Sequence, residues 1–434
     1  MSSVFPHESA PWFRPAALAL ALLSSSAVAQ PAAASLENLQ EQNRLLRSQL
    51  DMQQRQIDEL RDQMKQLAKS HDTAASTENS PSENAAGDRR LVLSGEVDMA
   101  FFSQGRDGQY RNDEFRVDDA FFRFEAPVAH NLFFYGELQL TRREAADETF
   151  HLGEMYLEYE NLSGALGGAD RLVNVRFGRV NIPFGEEYQA RNSLEDPLVT
   201  HSLSDIWGTD EGLELYGEYG HASYAAAVQN GSSKTMRDYN ADKALTLRIG
   251  YDITPQIHVS ASAMRTGKLQ SLNEPISEVW FGNGLFRNVD GSTVHQANLG
   301  ELDASYHWSS GHLLGAIGRA RYSDNSNVPN NAIHFRYYQI EAVQSVTHEF
   351  YTAVRFSELS ADGAGYPIAG IGNFAKYFLG TLRTKDLQRL SVGGGYRFNP
   401  SLLLKAEYTY ENGELVNGAP RDNHLFSFES ALGF

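Results

Sequence analysis

Leu425-Phe426-Ser427-Phe428-Glu429-Ser430-Ala431-Leu432-Gly433-Phe434 is the stretch that decides the fold. Phe426, Phe428, Leu432 and Phe434 share one parity, while Ser427, Glu429 and Gly433 share the other. Successive side chains of an extended strand point to opposite faces. One face of this strand is therefore apolar throughout, and the other is small and polar. A bilayer suits that pattern, with apolar side chains toward lipid and polar ones toward a water-filled lumen. The competing reading is a buried edge strand of a soluble β-sandwich, and the rest of the chain decides between them.

Composition favours the bilayer. The 434 residues are 21% charged, yet include 20 Tyr, 24 Phe and 36 Gly. Alternating strands combine these properties because their apolar half is hidden in the average. The one long apolar run, Ala16–Leu23, is too short for a spanning helix. Arg14 precedes it and the small residues Ala27-Val28-Ala29 close it, so residues 1–29 read as a secretory signal cleaved before Gln30. There are no cysteines, which excludes a disulfide framework, thiolate chemistry and Cys-based metal sites. A formal charge of −18 argues against a nucleic-acid partner.

Residues 30–70 carry a different period. With Leu36 at a, the a positions are Leu36, Asn43, Leu50, Ile57 and Met64; the d positions are Leu39, Leu46, Gln53, Leu60 and Leu67. This is the heptad of a short α-helical coiled coil with two polar core layers. The competing reading is a single amphipathic helix docked on its own barrel. Residues 71–88 hold almost no large apolar side chain and read as a flexible linker.

From residue 89 to 434, alternating segments separated by turn residues recur. We count sixteen, eighteen being the alternative: an all-β, transmembrane antiparallel β-barrel. Short connections at 127–130, 252–255, 309–311 and 399–401 alternate with long ones at 183–210, 231–242, 267–293, 324–331 and 359–383. Outer-membrane barrels have short periplasmic turns and longer external loops. An even strand number puts both ends, and the coiled coil, in the periplasm.

The face opposite each apolar parity should line the lumen. Arg176, Arg319, Arg355, Arg389 and Lys405 fall near mid-height on that reckoning, as a basic wall able to receive anions. The plainer reading of any single inward charge is cross-strand pairing. The 183–210 loop is acidic and also carries Phe184, Tyr188, Leu194, Leu198, Val199, Leu203, Ile206 and Trp207, which a merely solvated loop would not need. Folded inward, it would narrow the pore and set Glu186, Glu187, Glu195 and Asp196, with Arg191, against the basic wall. The competing reading is apolar contact with a neighbouring protomer.

Two stretches carry a family resemblance. Leu91-Val92-Leu93-Ser94-Gly95-Glu96-Val97 opens the barrel, and Val175-Arg176-Phe177-Gly178-Arg179-Val180-Asn181-Ile182-Pro183-Phe184-Gly185-Glu186 runs a strand into a Pro-Phe-Gly turn. With a signal peptide and an N-terminal coiled coil, the chain resembles the phosphate-selective porin O/P superfamily. Its terminal aromatic strand is similar to the C-terminal signal of bacterial outer-membrane barrels. The resemblance implies a homotrimeric passive channel with inward-folded loops, embedded in outer-membrane lipid and requiring no cofactor. The external loops hold few Lys and the lumen mixes acids with Arg, so a dicarboxylate or general small-anion channel fits as well as a phosphate channel. The alternative function is a structural anchor whose coiled coil tethers the membrane to the cell wall.

An enzyme is not expected. His201, Ser202 and Asp205 are neighbours in one loop, which does not assemble a nucleophile, base and oxyanion site. No Gly-x-Ser-x-Gly motif and no zinc-helix motif occurs.

Overall fold

The computed structural model describes residues 91–104, 113–141, 151–187, 192–203, 206, 208–231, 238–270, 293–325, 332–362, 368–369, 383–415 and 420–434. The expected signal, coiled coil and linker lie outside these residues, as does Arg191.

Sixteen long strands account for the barrel. The first half comprises β1 (Val92–Gln104), β2 (Glu114–Ala129), β3 (Leu132–Thr141), β4 (His151–Tyr159), β5 (Asn174–Asn181), β6 (Thr209–Tyr219), β7 (Ala222–Gln229) and β8 (Ala244–Thr254). The second comprises β9 (Ile257–Arg265), β11 (Val294–Trp308), β12 (Gly311–Asp324), β13 (Ile333–Ser345), β14 (Phe350–Asp362), β16 (Arg383–Asn399), β17 (Leu402–Leu415) and β18 (Pro420–Gly433). Two two-residue pieces, β10 (Leu269–Gln270) and β15 (Ile368–Ala369), extend the ladders on β11 and β16. Each long strand is antiparallel to its neighbours, and β1 pairs with β18, closing the sheet. Closure removes every raw edge, which a strand array in lipid requires.

The alternation in sequence becomes two faces. Leu245, Leu247, Ile249 and Tyr251 of β8 are exposed on the outside, as are Leu390 and Val392 of β16 and Phe426, Phe428 and Leu432 of β18. Ser391, Lys405, Glu407, Thr409, Ser427 and Glu429 point inward and are buried. Hydrophobic outside and polar inside is the inverse of a soluble fold and matches lipid as solvent. Tight connections occupy one end of the barrel, as at Thr254–Ile257, Trp308–Gly311 and Asn399–Leu402. One connection at that end is longer: between β4 and β5 a four-residue helix, Leu162–Ala165, is capped by the Asn161 side chain.

Candidate functional site

The chain between β5 and β6 folds into the lumen. It leaves β5 where Ile182 N donates to Gly208 O at 2.8 Å, so its two ends meet. Gly185, at φ +75°, lets the backbone turn and donate its N–H to Ser262 Oγ of β9 at 3.0 Å. A Cβ there would meet the Glu301 carboxylate at 2.6 Å, and left-handed φ favours glycine in any case. Farther along, Leu203 N donates to Ser357 Oγ of β14 at 3.1 Å. Phe184, Leu198, Val199, Leu203 and Ile206 are all buried, and Leu198 packs with Val343, Ala353 and Tyr351 of the wall. Thus these five apolar residues of 183–210 are buried within this chain, in keeping with the inward-folding reading.

Polar contacts hold the segment down. Glu407 of β17 accepts from Val199 N at 2.6 Å and Thr200 N at 2.8 Å. Lys405 Nζ donates to Ser193 O at 2.9 Å and Leu198 O at 3.1 Å while pairing with Glu429 at 2.7 Å. Arg389 donates to His201 O and pairs with Glu411. Arg355 pairs with Glu341 and with Asp196, and donates to Thr200 O. Ser202 N donates to Glu187 at 2.9 Å, and Gln339 Nε2 to the same carboxylate at 2.8 Å. Burial pushes the Asp196 carboxyl up to about 6, against the pull of Arg355 and Lys405.

These contacts correct the expected basic wall. Arg355, Arg389 and Lys405 do face inward, but only 4%, 1% and 1% of each is exposed, because the segment lies over them. Their charges satisfy wall carboxylates and segment carbonyls instead of lining an open path. Arg319 is corrected more fundamentally. It shares its face with the exposed Leu313 and Ile317, and therefore lies on the outer surface, as does Arg321. The inward positions nearby are Ala316, Gly318 and Ala320, kept small because buried Tyr337 packs over Gly318; a Cβ there would meet its ring at 2.1 Å. Small inward residues beside a packed interior mimic an outward apolar parity, which is why alternation misplaced the arginines.

Arg176 is inward and part-exposed, at 30% of its side chain. It pairs with Glu158 at 3.0 Å and Glu214 at 3.4 Å, and its guanidinium lies 4.5 Å from the Tyr216 ring centroid. Two further arginines share this part-exposed character. Arg123 pairs with Glu137 at 3.0 Å over the Phe121 ring, and Arg248 reaches Glu186 at 3.4 Å. Arg248 thereby meets the inserted segment itself, to which Glu186 belongs. Of the acidic loop residues, Glu195 is exposed, Glu186 is half-buried, Glu187 binds Ser202, and Asp196 turns to the wall. A cavity of 170 Å³ remains beside the segment, lined by Glu186, Glu187, His258, Asp303, His307 and Glu341 among others.

The strand count, the closure and the inserted segment define a class by shape: a sixteen-stranded barrel built like the outer-membrane porins. No family model and no curated protein sequence matches the chain, so the O/P resemblance stands as an expectation. Solved structures do match in fold. The in-vitro-folded outer-membrane protein OmpT of Vibrio cholerae aligns with a TM-score of 0.54 at 11% identity, over 79% of this chain and 97% of that one. The outer-membrane channel DcaP of Acinetobacter baumannii aligns at 0.53 and 12% identity, over 82% and 100%. The anion-selective porin from Comamonas acidovorans aligns at 0.52 and 12% identity, over 80% and 100%.

Proposed function

We propose that this protein is a passive diffusion channel of the outer membrane for small hydrophilic solutes, with the segment folded into its lumen as the constriction. The observation that carries the reading is the division of the lumen. The segment covers the lumenal face of β14, β16 and β17, while Arg123, Arg176 and Arg248 on β2, β5 and β8 stay part-exposed. A merely structural barrel has no need of partly solvated guanidinium groups in a lumen that also holds a carboxylate-bearing segment.

Small anions of the phosphate or dicarboxylate class are the proposed solutes, with a weak preference. Arg123, Arg176 and Arg248 each already have a carboxylate partner, so only part of their field reaches a passing ion. Assembly as a homotrimer is part of the proposal, as is a periplasmic coiled coil over residues 30–70.

Conductance and reversal potential of the purified protein in a planar bilayer under a salt gradient test it. Discrete steps in threes with a modest anion preference are expected. A cation-directed reversal potential would overturn the anion assignment. Silence from folded protein would overturn the channel.

A further inference from the structure

The cavity beside the lumenal segment holds negative charge that the neighbouring cations leave unbalanced. It lies between Glu186 and Glu187 of the segment and the walls of β9, β11, β12 and β13. Glu186, Glu187, Asp196, Asp303 and Glu341 line it, against the guanidinium of Arg355. Arg355 is taken up by Asp196 and Glu341, and Arg248 reaches Glu186. His258 turns its Nδ1 to Asp252 at 2.7 Å and its Nε2 toward Glu186 at 3.6 Å. Glu187 and Asp303 pair with no Lys, Arg or His among the described residues. Their donors are uncharged: Ser202 N at 2.9 Å and Gln339 Nε2 at 2.8 Å for Glu187, and Ser260 Oγ at 3.2 Å for Asp303. A carboxylate withdrawn from bulk water without a counter-charge is costly. Gln339 adds an unmet acceptor to the same lining. Its residue is only 4% exposed, and its Oε1 has no hydrogen-bond partner among the described residues.

The remaining lining says which kind of cation fits. No three His, Asp or Glu side chains among the described residues are placed to hold a metal ion. Leu314 and Pro197 also face the cavity, and their apolar surface suits a hydrocarbon stem. At 170 Å³ the space is well under the roughly 300–1,000 Å³ of a drug-sized pocket, so the occupant is small.

We propose that this cavity binds a small primary alkylammonium ion, with its head toward Glu187 and Asp303 and its stem along Leu314 and Pro197. An ammonium group carries three N–H donors, enough for two carboxylates and Gln339 Oε1. Like a lysine head, with its pKa of about 10.4, it stays charged at neutral pH. Occupancy adds a positive charge beside the acidic turn of the segment. This holds whether or not the lumen conducts, because binding is read on the protein alone.

The test uses the full folded chain in detergent at pH 7 and fixed ionic strength. Binding of butylammonium is titrated by saturation-transfer NMR, beside butanol and tetramethylammonium. Saturable binding of butylammonium alone is expected, weakened about tenfold in Glu187→Gln through loss of one charge-assisted contact. Should that variant not fold, Asp303→Asn is expected to weaken binding in the same sense. Equal binding of tetramethylammonium overturns the proposal, because that cation has no N–H to donate and only screening of an acidic lumen would remain. Equal binding of butanol also overturns it, because the cavity would then read the stem alone. So does a butylammonium affinity unchanged in both variants.

Discussion

Arg355 Nη2 on β14 stands 3.0 Å from Asp196 Oδ1 of the lumenal segment, and the same guanidinium holds Glu341 of β13. A cross-strand pair of the β13–β14 hairpin and a residue from a distant part of the chain thereby share one buried charge centre. The wall arginine acts as a mooring point for the inserted segment.

Removing that mooring should loosen the constriction. Taking one partner from a buried pair costs about 3–5 kcal/mol, because the other charges stay buried and uncompensated. Arg355→Ala is expected to lower the unfolding temperature and to give larger, noisier single-channel currents. Currents identical to those of the parent would mean that the segment is held by its other contacts alone.

Glu407 makes a second hold, accepting both Val199 N and Thr200 N. Glu407→Ala leaves two buried amides without acceptors, each worth about 1–3 kcal/mol. Glu407→Gln keeps one acceptor oxygen and should lose less. Thermal unfolding in detergent should rank the parent above Gln and Gln above Ala.

Charge selectivity should follow the part-exposed arginines. Arg176→Ala and Arg248→Ala are each expected to move the reversal potential toward cations. One charge at 4 Å in water is worth about 1 kcal/mol, so a fivefold change in permeability ratio is roughly the ceiling for each. A shift toward anions in either variant would contradict the proposed ion path.

Gly318 is a steric requirement set by Tyr337, whose hydroxyl donates to Glu301 at 2.6 Å. Gly318→Ala should cost about 1–3 kcal/mol by overpacking. The double variant Gly318→Ala/Tyr337→Leu should recover part of the loss, as read from the fraction of heat-modifiable folded barrel.

Much of this architecture was legible before any coordinates. Sixteen alternating segments were countable, and sixteen long strands form the barrel, because lipid imposes a period of two on every crossing. Inward folding of the 183–210 loop was legible from its surplus of apolar side chains. The fate of the charges was not. Arg389 meets His201 O across 188 positions, and Thr200 meets Glu407 across 207. No local pattern encodes partners that far apart. Parity also fails where the interior is packed as a core, since Ala316, Gly318 and Ala320 face inward for want of room.

The segment also straddles the join between the first and last strands. Ser193 Oγ donates to Asp98 of β1 while Ser193 O accepts from Lys405 of β17, and Leu194 lies against Gly433 of β18. Between β1 and β17 only β18 intervenes. The same stretch that folds into the lumen is therefore a clasp across the seam. It resists sideways parting of β1 from β18, the gap through which lipid would enter a barrel caught half-zipped. Residues made midway along the chain wait for strands made last, and the latch shuts only when the cylinder does.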